Sequence, residues 1–160
     1  MQSEKEVFHE QLQVLEKLIP SLDAAYAGLT RTFKWMTPLL KKSVFNQEDQ
    51  SYLKDFLHSV HEDLAEFDQL LRRGEGERHL LRSEFTRIKN EYPSEREKDE
   101  FSLLEAELWS LEQSLLIREK CLNHLNELVQ LLDSVIKLGE MTELDERLLT
   151  EIVTDLKNIT

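Results

Sequence analysis

Apolar residues recur every three or four positions along nearly the whole chain, the spacing of helices that bury one face. Phe8, Leu12, Leu15 and Ile19 open the pattern, and Leu22, Ala25, Tyr26, Leu29 and Phe33 continue it. Pro20 falls between these runs. A mid-helix proline loses a backbone bond and clashes with the preceding turn, so a kink or break is expected there. Thr37-Pro38 reads as an N-cap followed by proline at the first helical position, opening a short helix from Leu39 to Phe45. Asn46 to Asp49 then supplies a capping side chain and first-turn acids for a second helix. Its stripe is Leu53, Phe56, Val60, Leu64, Phe67 and Leu71. Gly74-Glu75-Gly76 predicts a turn. Leu81, Phe85, Ile88 and Tyr92 predict a third helix, which Pro93 stops. Ser94 and Glu97 form a capping box for the next.

That next helix, running to Gly139, carries the strongest pattern. Phe101, Leu104, Leu108, Leu111, Leu115, Leu122, Leu125, Val129, Leu132 and Ile136 make one heptad seam, interrupted by Arg118. Leu103, Ile117, Cys121, Leu128, Leu131, Val135 and Leu138 make a second beside it. Two seams imply neighbours on two sides, as in a bundle. Gly139 suits a helix C-terminus, and Thr142 with Asp145 caps a last helix whose apolar face runs from Leu144 to Ile159. The prediction is an all-α fold. It is an elongated antiparallel bundle of four or more helices, one domain over residues 1–160, with one long coiled-coil-like helix as its spine. Short helices leave part of that spine uncovered, which suggests a homodimer.

Composition narrows the class. Four glycines and three prolines are too few for the turns of an all-β fold. With 40% hydrophobic and 32% charged residues, the chain is too apolar for disorder and too charged for a membrane protein. A formal net charge of −12 repels nucleic acid and anionic membrane surfaces. The single cysteine, Cys121, excludes an intramolecular disulfide and fits a reducing, cytoplasmic setting.

Candidate chemistry is sparse. Glu6-x-x-His9 and Asp55-x-x-His58 have the spacing of di-iron carboxylate ligands, but at 100° per residue both histidines fall away from the apolar stripes. His58-x-x-x-Glu62 matches one fragment of the hemerythrin pattern, whose His-x-x-x-His pair is absent. Cys121 and His124 lie on or beside the second seam and read as core residues. Glu105 and Glu112 read as solvated positions. His79-Leu-Leu-Arg82-Ser83 resembles the His-x-Leu-Lys-Gly core of histidine phosphotransfer domains. That resemblance implies a helical bundle in which His79 accepts phosphate beside Arg82, with Ser83 in place of the glycine that admits the partner.

Against the acidic background, residues 31–42 are basic and aromatic. Arg31, Phe33, Lys34, Trp35, Lys41 and Lys42 make a candidate partner-binding stretch, because aromatic and arginine residues favour binding hot spots. The same pattern also fits Phe33 and Trp35 as core anchors with a solvated rim of lysines. Arg118 joins the candidates as a charge in an apolar seam, marking where the spine meets solvent or a second chain. The expectation is a non-enzymatic interaction protein, without a cofactor, that presents helix faces to protein partners. The alternatives are the His79 phosphotransfer protein and a small-ligand sensor with a pocket near Pro20.

Overall fold

A computed structural model describes residues 3–42, 44–91 and 95–159, except for the side chains of 95–98 and 100. They form an all-α bundle of four helices: α1 (Glu4–Leu40), α2 (Gln47–Glu91), α3 (Glu95–Leu138) and α4 (Glu143–Ile159). The described residues include no strand, only an isolated antiparallel bridge between Val44 and Glu140. The packing divides into two units. Unit 1 comprises residues 1–22 and 69–118; unit 2 comprises residues 23–68 and 119–160.

Three predicted boundaries are absent. α2 passes through Gly74 and Gly76 without a turn, merging the second and third predicted helices. The buried positions Phe67, Leu71, Gly74, Leu81, Phe85 and Ile88 keep one three-and-four phase across the glycines. Burial on both sides therefore outweighs the roughly 1 kcal/mol that each interior glycine costs a helix. Gly74 permits close helix packing, since a Cβ there would lie 3.1 Å from Leu115 Cδ2. Gly76 has nothing within 4 Å of such a Cβ. Gly76→Ala should thus raise stability by about 1 kcal/mol, while Gly74→Ala gains less because Leu115 must shift. Urea midpoints of the two variants check this, and a loss of stability in Gly76→Ala would restore the turn.

Likewise α1 continues through Pro20 and Thr37-Pro38, and the predicted short helix from Leu39 to Phe45 does not form. Thr37 does not cap; its hydroxyl donates back to the Phe33 carbonyl at 2.8 Å. Both prolines lie on the exposed side, where carbonyls freed by the missing N–H reach water. Leu18 and Leu22 flank Pro20, and Met36 and Leu40 flank Pro38, all buried. The helix ends where Lys42 N–H turns to the Leu39 carbonyl at 3.1 Å.

The local caps form as expected. Asp49 N–H donates to Asn46 Oδ1 at 2.8 Å, and Asn46 N–H donates to Asp49 Oδ2 at 3.2 Å. Thr142 and Asp145 make the same reciprocal pair at 3.2 and 3.0 Å. Gly139 ends α3 with φ +78°, a conformation that side chains disfavour. Tyr92, Pro93 and Ser94 lie outside the described residues, as does the Glu97 side chain, so the predicted box does too.

Within unit 1, three helical segments pack antiparallel. Glu4 meets Arg87 and Phe8 meets Phe85 between α1 and α2, while Arg78 meets Glu112 and Arg82 meets Glu105 between α2 and α3. Unit 2 has the same three partners plus α4. This difference decides the fate of the second α3 seam. In unit 2 the first seam is buried at Leu122, Leu125, Val129, Leu132 and Ile136, and the second at Cys121, Leu128 and Val135, while Leu138 at the helix end is exposed. In unit 1 Leu104, Leu108 and Leu115 of the first seam are buried, while Leu103 and Ile117 of the second are exposed. On α4 the expected face is also only partly covered: Ile152 and Leu156 are buried, but Leu144 and Leu148 are exposed.

Candidate functional site

Unit 2 contains a groove of about 630 Å³ between α1, α3 and α4. α1 supplies Tyr26, Thr30, Phe33, Lys34, Thr37 and Leu40, a stripe that three- and four-residue steps place along one side of the helix, and Lys41 follows directly after its end. Leu128 and Leu132 of α3 form the floor. Leu149, Val153, Leu156 and Lys157 of α4 form the far wall, with Met141 and Glu146 at one end.

The lining is more apolar than its composition suggests. The hydroxyls of Thr30, Thr37 and Thr150 donate to carbonyls of their own helices, Ala27 at 3.0 Å, Phe33 at 2.8 Å and Glu146 at 2.9 Å. A threonine bonded in this way offers mainly its methyl group to the groove. The Tyr26 ring lies 6.4 Å from that of Phe67, and burial, with a smaller contribution from nearby Cys121, raises its hydroxyl pKa above the usual value. Lys34 and Lys41 are exposed, and neither has an ion-pair partner among the described residues.

The structure thus brings three sequence candidates together, Phe33, Lys34 and Lys41, and separates the others. Trp35 does not anchor the core: it is 57% exposed, its ring 6.3 Å from Phe56. Arg31 is exposed and does not line the groove. Lys42 is held by Asp49 at 2.9 Å, a bond that keeps the Asp49 carboxyl below the usual range against the opposing effect of burial. Arg118 belongs to unit 1 and turns back on its own helix, donating to the Ser114 carbonyl at 3.0 Å and to the Ser114 hydroxyl. Leu128, Leu132, Leu149 and Val153 escaped sequence reasoning as site residues. Their one signal was an apolar arc on α3 and α4 wider than a core requires.

The remaining candidates lie apart. His79 is exposed in the interior of α2. Arg82 beside it is engaged by Glu112 and by Glu105 at 3.5 Å, and its guanidinium lies 5.7 Å from the centre of the Phe85 ring. Glu112 is not the solvated residue expected: its side chain is 14% exposed, and Arg78 Nη1 lies 3.0 Å away. Burial pushes its carboxyl up, but hydrogen bonds from Arg82 and Arg78 outweigh this and hold it below the usual range. His9 and His58 are exposed, the latter 3.1 Å from Glu62. His124 is half-buried, and its Nδ1 is 3.7 Å from Glu127, too far for a hydrogen bond. Among the described residues, no three His, Cys, Asp or Glu side chains gather closely enough to hold a metal ion. None of the described helices is long and apolar enough to cross a membrane. No protein-family model, curated protein or solved structure matches the chain.

Proposed function

We propose that this protein is a non-enzymatic interaction module whose groove in unit 2 receives the amphipathic helix of a protein partner. One observation carries the reading: an apolar groove flanked by two cations, Lys34 and Lys41, that have no ion-pair partner among the described residues, on a chain of net charge −12. An amphipathic helix docks by laying apolar anchors at i, i+3, i+4 and i+7 into such a groove. Acidic residues flanking those anchors complement the lysines, which sit seven positions apart along and just beyond α1. A reducing, cytoplasmic setting accords with Cys121 as the single, buried cysteine of the chain. Self-association to a homodimer belongs to the same class of function and uses a different face.

The test is fluorescence anisotropy with two labelled helical peptides that share apolar anchors and carry either acidic or basic flanks. The acidic peptide should bind more tightly, and Lys34→Glu with Lys41→Glu should weaken it roughly tenfold. Equal binding of both peptides, or none, would remove the reading. The groove volume also falls within the range of small-molecule sites, which favours a second reading as a ligand-sensing bundle. A rise in Tm with dodecanoate, without peptide binding, would select it.

A further inference from the structure

We infer that the outer face of α3 in unit 1 is a self-association surface that pairs antiparallel with the same face of a second copy of this chain. The inference goes beyond the groove and does not depend on it. Leu103 is 73% exposed, Trp109 59%, Leu116 48% and Ile117 43%. At 100° per residue these four lie on the side of α3 turned away from buried Leu104, Leu108 and Leu115. Ala106, Ser110 and Gln113 fill the spaces between them, so the face carries no charge from Leu103 to Ile117. An uncharged face of this length is unusual in a chain with 32% charged residues.

Unit 2 shows how such a face behaves when covered. There four helices contribute, and α3 buries Cys121, Leu128 and Val135 of its second seam; in unit 1 three segments leave Leu103 and Ile117 of that seam bare. A fourth helix is what unit 1 lacks, and an α3 from a second copy supplies it.

The spacing is self-complementary, as a two-fold interface requires. With the two-fold between Trp109 and Ser110, antiparallel helices set Leu103 level with Leu116 of the second copy, Ala106 with Gln113, and Trp109 with Ser110. The largest side chain thus lies level with one of the smallest, which leaves room for the indole at a helix separation of about 8–10 Å. Within the face itself the two acidic chains meet without a like-charge pair, because Leu103, Ala106, Trp109, Ser110, Gln113, Leu116 and Ile117 are all uncharged. The four large side chains present on the order of 400–500 Å² of apolar surface, enough to mark an interaction patch. With the flanking small residues, two such faces approach the lower end of specific interfaces, roughly 1,200 Å² in total. That size implies a dimer that dissociates on dilution.

Sedimentation of the full chain over concentrations up to about 100 μM tests the inference. The wild type should pass from one to two chains per particle. Trp109→Glu with Leu116→Glu should remain monomeric at every concentration, with unchanged circular dichroism because both positions are exposed. Ser110→Cys, next to the two-fold, should oxidise to a covalent dimer, while the wild type, whose Cys121 is buried, should not. A wild type that stays monomeric throughout would overturn the inference. So would a dimer that survives the double glutamate variant or fails to cross-link through position 110. In both cases the face would be bare or would serve a different protein, while peptide binding in the groove would be unaffected.

Discussion

Leu122→Ala should destabilise the protein by about 2–5 kcal/mol, and Val129→Ala should also lower stability substantially. Both side chains are buried where α3 has covered seams on two sides, Leu122 at 3% exposure and Val129 at 4%. A cavity at such a place is walled on several sides, so neighbours can collapse into it only in part, and the cavity cost adds to the lost transfer energy. Glu105→Ala, on the same helix with a side chain 43% exposed, should cost less than about 1 kcal/mol. Urea titrations followed by far-UV circular dichroism would compare the three. Similar midpoints would mean that the seam is assigned to the wrong face.

The second large effect is expected at the end of α3. Gly139 has φ +78°, and a Cβ there would lie 2.5 Å from Gln50 Nε2. That amide approaches the Ile136 carbonyl at 3.5 Å, close to the end of the helix. Gly139→Ala therefore imposes left-handed strain and displaces Gln50, for a combined loss of about 2–3 kcal/mol. The neighbouring bond from Phe45 N–H to the Gly139 carbonyl, 3.0 Å, ties the same turn to the connection before α2. A lowered Tm with retained helical signal is the expected result. An unchanged Tm would mean that the connection can take another path.

What the sequence made legible is what local chemistry decides. The pairs Asn46–Asp49 and Thr142–Asp145, and the C-terminal glycine at 139, each depend on groups within a few residues, and each forms as expected. Pro20, Thr37-Pro38 and Gly74–Gly76 were misleading because tertiary burial on both sides overrides their local preference. Nothing near Gly74 in sequence reveals that Leu115, far along the chain, packs against it. The groove was half legible for the same reason. The basic and aromatic stretch pointed to Phe33, Lys34 and Lys41, but Leu128 and Leu132 read as core because a seam pattern cannot tell a floor from an interior. Glu112 was misplaced because the arginines that surround it come from α2.

The division into two units also bears on synthesis and on fragments. Neither unit is a continuous stretch of chain: unit 1 joins residues 1–22 to 69–118, and unit 2 joins 23–68 to 119–160. As the chain emerges, α1 and α2 are complete before either unit has all its parts. A fragment ending at residue 118 would hold every part of unit 1. It would also carry Leu29, Met36, Leu53 and Val60, buried in the full chain, without the segment that helps to cover them. Four side chains of this size left in water favour aggregation. No single cut therefore yields one unit cleanly, and chain length itself becomes a condition for a well-behaved fold.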